Sequence, residues 1–120
     1  MAGQLNLGDP KSESRAESAP VLEFKSVPDA RGVGAAVESV KDKIATEEEL
    51  VALANAWNDG GETQMAKDVR DENLACYGEK HGIWISYIFW SKSDNKFLVR
   101  RHKWGGARWD ANRHRVAVRP

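Results

Sequence analysis

Apolar residues along this chain recur first with a helical period and then with an extended one, and the change falls at Gly82. From Val33, the residues Val37, Val40 and Ile44 return at helical spacing, which predicts a short amphipathic helix over about 35–44. The strongest helix start is Thr46. Its hydroxyl can accept from the free backbone N–H groups, Glu49 can reach back to complete a capping box, and Glu47 and Glu48 oppose the positive end of the helix dipole. Leu50, Leu53, Ala54 and Trp57 then form one apolar face over a helix of about 47–57, which Asn58-Asp59-Gly60-Gly61 stops. A further helix is expected from about Glu62 to Tyr77, with Met65, Val69 and Cys76 on one face and Gly78 at the C-terminal cap.

Beyond Gly82, Ile83 to Trp90 is rich in β-branched and aromatic residues. Ser91 to Asn95 has turn chemistry, and Phe97-Leu98-Val99 resumes an extended run into Trp104, so a β-hairpin is predicted. After Gly105-Gly106, Arg113 to Arg119 reads as a third strand, with Arg113, Arg115, Ala117 and Arg119 on one face and His114, Val116 and Val118 on the other. Val21–Val27 is a candidate short edge strand. These elements predict an α+β fold with two or three short helices, then an antiparallel hairpin and a third strand. The same order matches a winged helix-turn-helix, with helices at 35–44, 47–57 and 62–77 and a wing at 83–104.

Composition adds a boundary. The first 20 residues carry Gly, Pro, Ser and Glu with only two leucines, too little apolar surface to offset the entropy of ordering, so residues 1–20 are expected to be a disordered tail. Residues 21–120 then form one small domain. The single cysteine, Cys76, excludes an internal disulfide. No basic stretch followed by an apolar run opens the chain, and Ile83–Trp90, interrupted by Ser86, is too short to span a bilayer. A cytoplasmic protein without membrane contact is the expectation.

Charge changes the picture more. Residues 77–120 hold ten Lys/Arg against three acids, a net +7, while residues 1–76 hold eight against fifteen, a net −7. Such segregation points to a polyanionic partner, or to one half screening the other. Within the basic third, tryptophans alternate with the cations. Arg100, Arg101, Lys103, Trp104, Arg108, Trp109, Arg113 and Arg115 are therefore the candidate nucleic-acid-binding residues, offering cations to phosphates and flat apolar rings to bases. The aromatic component suits single-stranded nucleic acid or RNA better than duplex DNA. Against this stands a plainer reading, in which the arginines are the solvated face of a half-buried sheet and the tryptophans are core. A second functional class is an adaptor or inhibitor that docks an acidic protein partner through the same Arg/Trp surface.

Other chemistry is weakly supported. Cys76, His81, His102 and His114 are zinc-ligand types, but their spacing is that of no zinc finger. Cys76 with a histidine and Asp110 or Asn112 lacks any surrounding catalytic motif. His102, Asp110 and His114 as a metal-dependent nuclease would have one acid for the cation. Gly32-Val33-Gly34 is a lone G-x-G. A non-enzymatic protein without metal, cofactor or catalytic residue is the expectation.

Overall fold

The computed structural model describes residues 20–104 and 108–120, so the expected tail lies, but for Pro20, outside the described residues. Eight elements follow in the order β1 (Glu23–Lys25), α1 (Val33–Glu38), α2 (Glu47–Asn58), α3 (Gln64–Asp71), β2 (Ala75–His81), β3 (Trp84–Ser91), β4 (Lys96–Lys103) and β5 (His114–Val118). The fold is α+β, with a five-stranded mixed sheet in the order β1-β5-β2-β3-β4. Strands β2, β3 and β4 form an antiparallel meander, and β5 returns to lie parallel to β2 and antiparallel to β1.

Both faces of the sheet carry helices, but unequally. On the first face, Leu50, Leu53, Ala54 and Trp57 of α2 and Ala66 and Val69 of α3 bury Cys76, Ile88, Phe97 and Ala117. Trp57 anchors this layer edge-to-face, with its ring 5.0 Å from Phe97 and 6.0 Å from Phe24. On the second face the single-turn helix α1 sets Val33, Ala36 and Val37 against Tyr77, Ile85, Val116 and Val118.

The start of α2 fixes this arrangement. Thr46 Oγ1 accepts from Glu49 N at 3.1 Å and Glu49 Oε1 accepts from Thr46 N at 2.8 Å, completing the expected capping box. Such a cap contributes about 1 kcal/mol. Ala45, just before it, donates to Ala117 O at 2.8 Å and accepts from Glu79 N at 3.0 Å, so the helix entry is bonded to β5 and β2 at once. Arg101 Nε and Nη2 donate to Glu47 at 2.6 and 2.7 Å, and this forked contact holds the Glu47 carboxyl below its usual range. Arg119 Nε lies 3.5 Å from Glu49, and Lys80 Nζ lies 2.9 Å from Glu38 on α1. Three cations of the basic third are thus matched by acids of the first two thirds. Part of the charge segregation is consumed in tying helices to sheet.

Four expectations about the elements change. The helix expected over about 35–44 ends at Glu38, and Ser39 to Lys43 continue as turns. The helix expected to reach Tyr77 stops at Asp71. Asn73 takes φ 56° just past the cap, and Leu74 N donates back to Val69 O at 3.1 Å, which is the bond of a Schellman stop. Ala75–His81 is consequently a strand, so Cys76 sits on a strand rather than a helix face, and Gly78 lies inside that strand rather than at a cap. The last strand, expected as a third strand after an antiparallel hairpin, lies in the interior of a mixed sheet, parallel to β2: its two-sided alternation holds, but Ala117 is as buried as Val116. The hairpin of β3 and β4 belongs to the five-stranded sheet, with β3 interior to it, and does not project as a wing.

Candidate nucleic-acid interface

Side chains on a strand alternate between faces, so the registers decide which residues share the second face. Tyr77 pairs with Tyr87, Tyr87 with Arg100, Phe89 with Leu98, Ile85 with His102, and Ala75 with His114. Helix α1 covers Tyr77, Ile85 and Val116 at one end. Tyr87, Phe89, Leu98 and His102 remain half-buried beyond it, and Arg100 is exposed. The helices α2 and α3 cannot cover them because they pack on the opposite face.

Tyr77 is the centre of this surface, only 5% exposed. Around its ring stand Tyr87 at 5.5 Å, His102 at 5.5 Å, His114 at 5.3 Å and Trp109 at 6.1 Å. Burial, with the neighbouring Tyr87 as a smaller contribution, pushes the Tyr77 hydroxyl up to about 12, so it stays protonated at neutral pH. Tyr87 and Phe89 lie side by side at 5.2 Å, inclined by 31°. The Arg100 guanidinium sits 5.0 Å from the Phe89 ring centre, and 3.8 Å separates it from Asp94. A flat aromatic pair with a cation at its margin is the combination that base stacking and phosphate contact require.

The two histidines are held in opposite tautomers. His102 Nδ1 is 2.9 Å from Lys103 O, a carbonyl that only accepts, so Nδ1 carries the proton and Nε2 accepts from Tyr77 Oη at 3.3 Å. His114 Nδ1 accepts from Asp110 N at 3.0 Å, which puts the proton of the neutral ring on Nε2. Burial lowers the His114 pKa, Asp110 opposes this, and His102, Arg113 and Arg115 reinforce it. The unfolded chain, titrating near 6.5, then binds a proton that the folded chain refuses, so stability present above about pH 6.5 falls as pH drops below it. Thermal melts between pH 7.5 and 5 are expected to show this decline, and His114→Gln should flatten it. An unchanged slope in that variant would remove His114 as the cause.

The eight residues singled out from sequence do not share one surface. Arg100 and Trp109 lie on the aromatic face, with Arg108 and Arg113 exposed beside Trp109 and His114 in the chain. Arg101 points to the opposite face, where both its contacts go to Glu47. Lys103 is on that side too, its ammonium 5.9 Å from the ring of exposed Trp84. Arg115 turns its Nη1 inward to the carbonyls of Ala111 and His114, at 2.8 and 2.9 Å. Trp104 donates from Nε1 to Gly82 O at 2.8 Å, with Lys80 Nζ 4.4 Å over its ring. Its other neighbour is Gly34, where an added Cβ would stand 2.5 Å from the indole. Trp104 therefore wedges α1 against the sheet. Trp109 packs at 5.4 Å from His114, and its buried Nε1 has no hydrogen-bond partner among the described residues.

Sequence reasoning missed Tyr77, Tyr87, Phe89, His102 and His114 as a group. The period-2 run Ile85 to Phe89 carried a signal, since Ile85, Tyr87 and Phe89 share a face. Which face the helices would cover was not in that run.

The chemistry of the thiol is closed off. Cys76 is fully buried under the helices, burial pushes its thiol far up, and the aromatic face with His102 and His114 is on the other side of the sheet. Among the described residues no three His, Cys, Asp or Glu side chains converge to hold a metal ion, and no helix is long and apolar enough to cross a membrane. No protein-family model, curated protein or solved structure matches this chain, so the reading of its function rests on this geometry.

Proposed function

We propose that this is a non-enzymatic nucleic-acid-binding protein that lays single-stranded nucleic acid, DNA or RNA, across the second face of its sheet. The observation that carries the reading is the half-buried pair Tyr87 and Phe89, flanked by Arg100 on a part of the sheet that no helix among the described residues covers. Bases stack on Tyr87 and Phe89, and Arg100, Arg108 and Arg113 meet phosphates along the path. Arg108 and Arg113 have no ion-pair partner among the described residues, which leaves both free of the described carboxylates. Trp109 closes one end beside His114, while Trp104, Arg101 and Arg115 support the surface from within or behind. Stacking is indifferent to sequence because every base offers a π-face, so a sequence-tolerant binder is expected. Duplex DNA, whose bases already stack on one another, gains nothing from the aromatic pair.

A salt titration of a fluorescent single-stranded oligonucleotide, run beside duplex DNA, tests this. Three phosphate contacts predict that log K falls with log salt at a slope of about −2. Absence of binding at low salt would overturn the reading.

A further inference from the structure

The two edges of the sheet differ in a way that bears on partners. Strand β1 is three residues long, whereas β4 runs for eight residues in unbroken register with β3, from Lys96 opposite Ser91 to Lys103 opposite Trp84. Nothing among the described residues forms a strand on its outer side. Natural sheets usually blunt such an edge with a bulge, a proline, a short length or charged side chains, and of these β4 has only the last, in Lys96, Arg100, Arg101 and Lys103.

Its outward backbone groups can be assigned. In an antiparallel pair, hydrogen-bonded and non-bonded positions alternate. Trp104 N donates to Ile83 O at 3.1 Å, which continues the bonded series through His102, Arg100, Leu98 and Lys96. Phe97, Val99, Arg101 and Lys103 therefore turn their N–H and C=O groups away from β3. Phe97 confirms the assignment, because Asn58 at the end of α2 donates from Nδ2 to Phe97 O at 2.9 Å and accepts from Phe97 N at 2.9 Å. The side-chain amide occupies the place of a neighbouring strand at that one position. Lys103 O is likewise taken by His102. Both groups of Val99, both of Arg101 and the N–H of Lys103 have no outward partner among the described residues.

The charge of the edge selects what pairs with it. Strand β4 reads Lys-Phe-Leu-Val-Arg-Arg-His-Lys, with four cations and no acid. A second copy adding edge to edge would bring two such sets together, and like charges across a strand pair are destabilising. An extended segment rich in Asp or Glu meets the opposite field, with Arg100 on the aromatic face and Lys103 on the other.

We propose that the outer edge of β4, from Val99 to Lys103, is a docking site for an acidic extended peptide, which adds as a sixth strand. Backbone bonds to Val99 and Arg101 hold the segment, and its carboxylates beside Arg100 and Lys103 select it. This site shares Arg100 with the proposed nucleic-acid surface, but it does not depend on the stacking of bases on Tyr87 and Phe89.

The probe is a capped nine-residue peptide in which pairs of glutamates alternate with pairs of valines, so that carboxylates stand on both faces of the added strand, and it is added to the full-length protein while amide hydrogen exchange is followed residue by residue. At saturation, exchange at Val99 and Arg101 is expected to slow at least tenfold. The same peptide with lysine for glutamate should bind at least tenfold more weakly, as should one N-methylated on alternate residues to remove its backbone donors. Lys103→Glu in the protein should weaken the acidic peptide several-fold without changing the fold. No binding, or binding that leaves the Val99 and Arg101 amides unprotected, overturns the proposal. So does a dimer in sedimentation whose formation protects the same two amides, since the occupant would then be a second copy. Loss of oligonucleotide binding with peptide binding intact would remove the nucleic-acid reading alone.

Discussion

Replacing Gly78 with alanine is expected to destabilise the protein by about 3 kcal/mol, at the upper end of the usual cost of overpacking a core. An added Cβ would stand 2.8 Å from Leu50 Cδ1 and 2.9 Å from Ala45 O. The leucine methyl can turn aside. The carbonyl cannot, because Ala45 O is the acceptor for Glu79 N and Ala45 N donates to Ala117 O. Relief of the clash requires the entry of α2 to lift from β2, which would strain the capping box and the Arg101–Glu47 contact that follow it. For a domain of this size the loss corresponds to roughly 10–15 °C in Tm. Urea titration of the two proteins measures it directly. A difference below about 1 kcal/mol would mean that the helix entry shifts at little cost, since that is the ordinary scale of a single substitution.

The same glycine shows why the middle of the chain was misread from sequence. Gly78 after a run of mixed polarity resembles a helix stop, and in the structure it is the point where a helix entry crosses a strand. The true stop, Asn73, looks like an ordinary polar residue until its left-handed backbone is seen. Strand β2 has little alternation to report it, because Cys76 and Tyr77 are both buried, one on each face. By contrast, the capping box at Thr46 and the β3–β4 hairpin rest on local chemistry, and both were legible.

The candidate site was legible in kind more than in place. Alternation along β4 sends Arg100 and Arg101 to opposite faces, so two adjacent arginines that read as one patch do different things. Arg101, Arg119 and Lys80 hold acids of α2 and α1, which answers in part what the charge segregation is for. Sequence periodicity fixes which residues share a face. Which face stays open depends on where α2 and α3 pack, and that is a long-range property.

Phe89→Ala is expected to weaken single-stranded oligonucleotide binding by about 5- to 150-fold, the equivalent of about 1–3 kcal/mol for a lost base stack. The ring is half-buried and touches Tyr87 and the Arg100 guanidinium, so its removal opens surface rather than a core cavity, and the fold should persist. The variant removes no charge. Its slope of log K against log salt should therefore match the wild type, while Arg100→Ala should shift that slope by about 0.7 toward zero. The pair of results separates stacking from phosphate contact. Trp104→Ala provides the opposite pattern: its indole is committed to Gly34, Gly82 and Lys80, so its loss should lower stability. Measured where both proteins remain folded, its effect on affinity should be smaller than that of Phe89→Ala. Fluorescence anisotropy at four or more salt concentrations supplies the affinities and slopes, and thermal melts supply the stability of Trp104→Ala. If Phe89→Ala binds as tightly as the wild type while Arg100→Ala does not, the surface is a purely electrostatic one, and the aromatic pair belongs to the packing of the sheet.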